Sequence, residues 1–96
     1  MYYLLIYEAV EDYMVKRSEF RQEHLRLAIE AQERGELMLA GALGDRSSAF
    51  LFLTEDTTSI EEFIKNDPYV KNGLVISYKF LPWTTVVGKY AINKIL

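Results

Sequence analysis

The sequence predicts an α+β domain with two helices over one face of a four-stranded antiparallel sheet, and three observations predict it. Short apolar runs of strand length recur at residues 2–7, 37–43, 49–53 and 74–81. Segments of helical periodicity at 19–34 and from Ser59 to Asn66 separate them in the order βαββαβ. With 96 residues the chain has room for two packed layers and buries about 65% of its extended surface, enough for one thin core. That order is the split-βαβ arrangement of a ferredoxin-like two-layer sandwich.

Each element has a local reason. Residues 2–7 hold three tyrosines among aliphatics, which suits a central strand. Ser18-Glu19 reads as an N-cap with an acid in the first turn of a helix. On that helix Phe20, His24, Leu27, Ala28 and Ala31 share a face, opposite Glu19, Glu23, Arg26, Glu30 and Glu33. Gly35 stops it, and Gly44-Asp45-Arg46-Ser47-Ser48 reads as the turn of a hairpin. Ser59 with Glu62 forms a capping-box pattern, and the short helix it opens ends before Asp67-Pro68. The last long strand places Leu74, Ile76, Tyr78 and Phe80 on one face and Val75, Ser77, Lys79 and Leu81 on the other. Pro82 interrupts that run, and Thr84 to Val87 is expected as a fifth short edge strand before a tail ending in Ile92, Ile95 and Leu96. The whole of 1–96 reads as one domain, with a core over 1–88 and a short tail at 89–96. Apolar side chains on both sheet faces leave the helix-free face naked in a monomer, so the sequence predicts a homodimer stacked through that face, with higher assembly open.

Composition narrows the chemistry. There is no cysteine, which removes thiolate catalysis and cysteine-ligated metal centres. A formal charge of −3 and no basic cluster longer than Lys16-Arg17 argue against a nucleic-acid partner. No apolar run approaches the roughly 20 residues of a membrane span, and the N-terminal stretch lacks a positive region and meets Glu8 at once, so a soluble cytoplasmic protein with no membrane partner is expected. One histidine without ligand spacing is poor material for a metal site, and no glycine-rich loop opens a helix, so neither metal nor cofactor is expected.

The single histidine is the first candidate for chemistry. A histidine on an apolar helix face is commonly just packed, but Arg21 lies one turn earlier, where a guanidinium suits an anionic ligand and favours the neutral imidazole that a base requires. Arg21 alternatively snorkels to solvent. Asp67 precedes a proline and fits a turn residue equally well; if the two helices lie side by side, its carboxylate can orient His24. Tyr3, Tyr7, Tyr78 and Trp83 suit either a pocket for a flat ligand or core and interface packing.

Arg21, His24 and Leu25, Gly35-Glu36-Leu37, Ala40-Gly41, Asp67-Pro68-Tyr69, Gly73-Leu74 and Trp83 together resemble the YCII-related (YciI-like) family of the dimeric α/β-barrel superfamily, over about residues 1 to 88. The resemblance implies a ferredoxin-like domain that pairs sheet to sheet into a dimeric α/β barrel. It also implies a site of His24 and Asp67 with Arg21 nearby. Tyr7, Gly41, Tyr69 and Trp83 are the expected ligand-binding residues around it. Ala42 stands where the family commonly has proline, so the pocket rim is expected to differ. Two functions follow as expectations. One is a cofactor-independent enzyme, in which a His24–Asp67 dyad abstracts a proton from a small anionic, phenolic or lactone-type molecule, with isomerisation or dehydrohalogenation as the outcome. The other is a non-catalytic module that binds or senses a small molecule in the same pocket.

Overall fold

The computed structural model describes residues 1–95, and the expectation for Leu96 lies outside them. Strand β1 (Tyr2–Ala9) is followed by a one-turn helix α1 (Tyr13–Lys16), a 3₁₀ turn (Arg17–Glu19) and helix α2 (Arg21–Glu33). The hairpin β2 (Leu37–Leu43) and β3 (Ser47–Leu53) leads to α3 (Thr58–Asn66), the short α4 (Pro68–Lys71) and β4 (Val75–Trp83). The four strands form one antiparallel sheet in the order β2-β3-β1-β4, the ferredoxin-like topology.

Strand parity sorts the two faces. Leu5 opposes both Phe50 and Phe80, and Tyr3 opposes Phe52, so these side chains point together toward the helices. There Leu5, Tyr7, Phe50 and Phe52 meet Ala31 of α2 and Ile60, Phe63 and Ile64 of α3 in one buried cluster. Tyr2, Leu4 and Ile6 point the other way, as do Leu39, Leu51, Leu81 and Trp83. Leu39 is 70% exposed and Leu81 54% exposed, so this second face stays largely uncovered. The chain exposes 6350 Å², above the value of about 5,700 Å² expected for a compact monomer of this size.

Helix ends differ from the sequence expectations for identifiable reasons. Ser18 does not cap α2: the chain is already helical from Tyr13, the Ser18 hydroxyl donates to the Val15 carbonyl (3.2 Å), and Phe20 occupies the cap position. Ser59 lies inside α3, whose first turn is held instead by Asp56 accepting from the Thr58 N–H (2.9 Å). Gly35 ends α2 at φ +80°, with its own N–H donating to Gln32 and the Glu36 N–H reaching back to Ala31 (3.0 Å), a left-handed cap that glycine adopts without a Cβ penalty. Pro82 does not interrupt β4. The strand is a sheet edge paired only with β1, where a missing N–H facing outward removes no ladder bond. Thr84 to Val87 form no strand; beyond Trp83 the chain makes turns in which the Asn93 N–H donates to the Thr85 carbonyl (2.9 Å). The tail touches the sheet where the Tyr2 hydroxyl donates to the Tyr90 carbonyl (2.9 Å).

Candidate active site

Asp67 sits where α3 gives way to α4. Its extended backbone (φ −70°, ψ 120°) ends one helix, and Pro68 at the first position starts the next with φ already suitable. The carboxylate caps α4 by accepting the Tyr69 N–H at Oδ1 (3.0 Å). Asp-Pro-Tyr is therefore a helix start, and the cap fixes the carboxylate before any distant residue meets it.

Two distant residues do. His24, one turn into α2, brings Nδ1 to 2.9 Å from Oδ1 and 3.0 Å from Oδ2. Tyr7, on the helix-facing side of β1, donates its hydroxyl to Oδ2 (2.9 Å). Asp67 is completely buried. Three donors, the His24 and Tyr7 side chains and the Tyr69 N–H, converge on this fully buried group, so its oxygens are matched inside the protein. Tyr7 stays a donor throughout the neutral range: burial, the neighbouring Asp67 charge and the hydrogen bond to it push its phenol well above the ordinary value.

These contacts decide the state of the histidine. A carboxylate oxygen can only accept, so Nδ1 is the donor of this pair, and in the neutral ring the lone pair then belongs to Nε2. The ring is held from below by Tyr69, stacked at 4.0 Å and 14°, and on its edges by Phe50 and Phe63. His24 is buried except for the side that faces a cavity of about 390 Å³ between α2, the 3₁₀ turn, α4 and the hairpin. The buried His24–Asp67 pair is a dyad suited to acid–base catalysis.

The cavity wall is aromatic and cationic. Arg21, Arg17, Tyr13 and Tyr69 lie on one side, and Gly41, Ala42, Asp45 and Ser48 form the hairpin rim opposite. The Arg17 guanidinium sits 5.5 Å over the Tyr13 ring, and Tyr13 meets Tyr69 edge-on at 5.6 Å and 88°. A Cβ added to Gly41 would meet nothing within 4 Å, so that glycine leaves open space at the rim.

The structure thus brings together His24, Asp67, Arg21, Gly41 and Tyr69. It does not place Tyr7 or Trp83 among the residues lining this cavity. The Tyr7 hydroxyl is engaged behind the dyad with Asp67. Trp83 belongs to the opposite sheet face, where it borders a separate hollow with Leu4, Leu39 and Leu51. Tyr13 and Arg17 went unread in the sequence, although Tyr13, Arg17 and Arg21 are spaced four apart, one helical face. Among the described residues no group of three or more metal-ligating side chains occurs, and no helix is long and apolar enough to cross a membrane.

Comparison with known families decides the relationship: residues 1–84 match the YCII-related domain. The chain belongs to the YCII-related family. Among solved structures, a 5-chloro-2-hydroxyhydroquinone dehydrochlorinase from Burkholderia phenoliruptrix AC1100, in complex with 2,5-dihydroxybenzoquinone, superposes with a TM-score of 0.75. The match is 20% identical and covers 96% of this chain and 100% of that one. At that identity the likeness speaks for the shared fold. A search of curated proteins finds no sequence match.

Proposed function

We propose that this YCII-related chain is a cofactor-independent acid–base enzyme acting on a small phenolic, anionic or lactone-type molecule by isomerisation or elimination. The observation that carries this reading is the buried Asp67 carboxyl group at Nδ1 of a histidine that lines the cavity; with Nδ1 so engaged, the neutral imidazole offers Nε2 as the base. His24 removes a proton from carbon or hydroxyl, Asp67 steadies the imidazolium that forms, and Arg21 faces the oxygen that gains charge. In an elimination the electron pair released by the proton forms the new double bond, and the halide leaves with the pair of the broken carbon–halogen bond. A cavity of about 390 Å³ suits one substituted ring.

The structural relative supplies the first substrate to try. Chloride release from 5-chloro-2-hydroxyhydroquinone under anaerobic conditions, followed by a panel of activated phenols and lactones, is measured for the native protein and for His24→Ala. Turnover that disappears in the variant supports the reading; turnover retained in His24→Ala overturns it.

We further read the uncovered sheet face as the contact between two copies of the chain. The apolar row of Leu39, Leu51, Leu81 and Trp83 and the surface in excess of a compact monomer support this. Leu81→Asp puts a charge on that face, beside Leu4 of β1, and is expected to give a monomer in sedimentation velocity. A native protein that sediments as a monomer would refute the pairing.

A further inference from the structure

Tyr69 carries a group that packing alone does not explain. Its ring is 1% exposed and stacks on His24, a task phenylalanine performs equally well. Yet its hydroxyl is buried and has no hydrogen-bond partner among the described residues. Leaving a hydroxyl in that condition is unfavourable, and native proteins rarely tolerate it without a reason. Tyr7 shows the contrast, since its buried hydroxyl is matched to Asp67.

The surroundings of the Tyr69 oxygen are one-sided in charge. The charged groups that act on it are the guanidiniums of Arg21 and Arg17, with Arg21 approaching the oxygen as a donor short of a formed hydrogen bond, and Tyr13 is the neighbouring phenol. Burial, with Tyr13 adding to it, raises the Tyr69 phenol above its ordinary value; Arg21 and then Arg17 oppose that rise without cancelling it. The hydroxyl is therefore a neutral donor near pH 7. The Asp67 carboxyl group at the base of this wall is engaged by His24, Tyr7 and the Tyr69 N–H, and among the residues lining the cavity the carboxylate is Asp45, on the hairpin rim. Arg21 is exposed and Arg17 half-buried, and both reach the cavity on long flexible stems. Such stems move aside for an incoming oxygen more readily than the stacked Tyr69 ring does.

We propose that the Tyr69 hydroxyl and the Arg17 and Arg21 guanidiniums bind one ionised oxygen, phenolate, enolate or carboxylate, of a ring-sized ligand whose other edge meets His24 Nε2. The stack at 4.0 Å keeps the hydroxyl and the imidazole within the span of one such ring. This deepens the acid–base reading and rests on it only for the role of the neighbouring histidine. It adds a selection rule: the pocket takes the ionised form of a ligand over its neutral counterpart, and the charge that develops in a reaction arises against a donor already in place.

The test is a binding titration without turnover. The probe is 4-nitrophenol, whose ionised form absorbs apart from the neutral one, with 4-nitroanisole as a probe of similar shape that cannot ionise. The native protein is expected to bind the phenolate and to shift the bound probe toward its ionised spectrum. Tyr69→Phe, which keeps the stack, is expected to weaken phenolate binding by about tenfold or more while leaving 4-nitroanisole unchanged. Arg17→Gln is expected to do the same and serves if Tyr69→Phe fails to fold. Equal phenolate affinity in native and folded variant proteins overturns the proposal, as does native protein that prefers 4-nitroanisole or fails to bind the phenolate at millimolar concentration. His24→Ala is expected to retain the phenolate, so failure of the acid–base reading appears in rates and failure of the oxyanion site in this titration.

Discussion

Asp67→Asn separates the two roles that one carboxylate plays, and the structure sets the size of each effect. Asparagine keeps one carbonyl oxygen, which can still cap α4 by accepting the Tyr69 N–H, so the helix start survives. The amide NH₂ takes the place of Oδ2, where the Tyr7 hydroxyl and His24 Nδ1 now point. Tyr7 can turn its hydroxyl and accept from the amide. Nδ1 lies 2.9 Å from the retained oxygen, already engaged by the Tyr69 N–H, and 3.0 Å from the new NH₂; a proton kept on Nδ1 is set against the amide hydrogens, whereas moving it to Nε2 lets Nδ1 accept from them. The variant therefore favours the tautomer in which Nε2 is a donor and the base is gone. Turnover is expected to fall by about 10³–10⁴, the scale seen where an aspartate-to-asparagine change flips a catalytic histidine. Loss of the charged hydrogen bonds is expected to cost about 1–3 kcal/mol, or roughly 5–20 °C in Tm for a domain of this size. Asp67→Ala is less informative. It would strand three buried donors and remove the cap, a loss comparable with the whole stability of about 5–14 kcal/mol for such a chain. The assay is the ¹⁵N spectrum of the histidine ring, which distinguishes the tautomers, together with turnover on the substrate that the native protein accepts. A folded variant with the proton still on Nδ1 and an unchanged rate would refute the whole chain of reasoning.

Two further predictions draw on other parts of the molecule. Tyr7 is protonated in the fold well beyond the ordinary phenol value, so the unfolded chain loses that proton first as pH rises and the native state binds more protons. Its contribution to stability is complete below pH 10 and declines above it, by about 1.4 kcal/mol per pH unit. Tyr7→Phe is thus expected to be less stable at pH 7 but to show a flatter decline between pH 10 and 11 in urea denaturation. Equal slopes for the two proteins would contradict the assignment. Gly35→Ala is expected to lower stability by about 1–2 kcal/mol through backbone strain alone, because φ is +80° and the added Cβ meets nothing. An unchanged Tm in calorimetry would mean that the left-handed cap is not retained.

The sheet was the most legible part of the fold because a strand repeats every two residues. Leu5 and Tyr7 alternate with Leu4 and Ile6, and the pairing that follows sends the first pair to the helices and the second to the open face. The same parity could have corrected one site assignment. Tyr7 shares the phase of Leu5, which points it into the core, whereas the ligand role given to it came from its being a tyrosine near the others. The segment from Glu8 to Arg17 was not legible. Its first helix has four residues and no buried ones, too short for periodicity to register, so Tyr13 and Arg17 were missed along with it. The pairing of His24 with Asp67 spans 43 residues and depends on how α2 and α4 come together, and no local pattern encodes that distance. The Asp-Pro dipeptide did hold a readable signal: aspartate as N-cap followed by proline at the first position is a helix start as well as a turn.

The position of Asp67 couples the chemistry to the fold in a way that explains why both are local to one residue. Capping α4 fixes the carboxylate through its own main chain, and the Tyr69 that supplies the capped N–H is also the ring on which His24 rests. A shift of α4 against α2 would move the hydrogen-bond acceptor and the stacking platform of the histidine together, so both contacts of His24 are kept or lost at once. Tyr7 ties the same carboxylate to the central strand of the sheet. Base, orienting carboxylate and platform are thereby held by three elements through one short loop, while the arginines that line the cavity remain on flexible stems at the surface. The arrangement divides the site into a rigid half that sets the proton and an adaptable half that selects the ligand. On that division, ligand preference should be retuned by changes at Arg17, Arg21 and the hairpin rim, whereas any change at Tyr7 or Asp67 that breaks a hydrogen bond should lower stability and turnover in parallel.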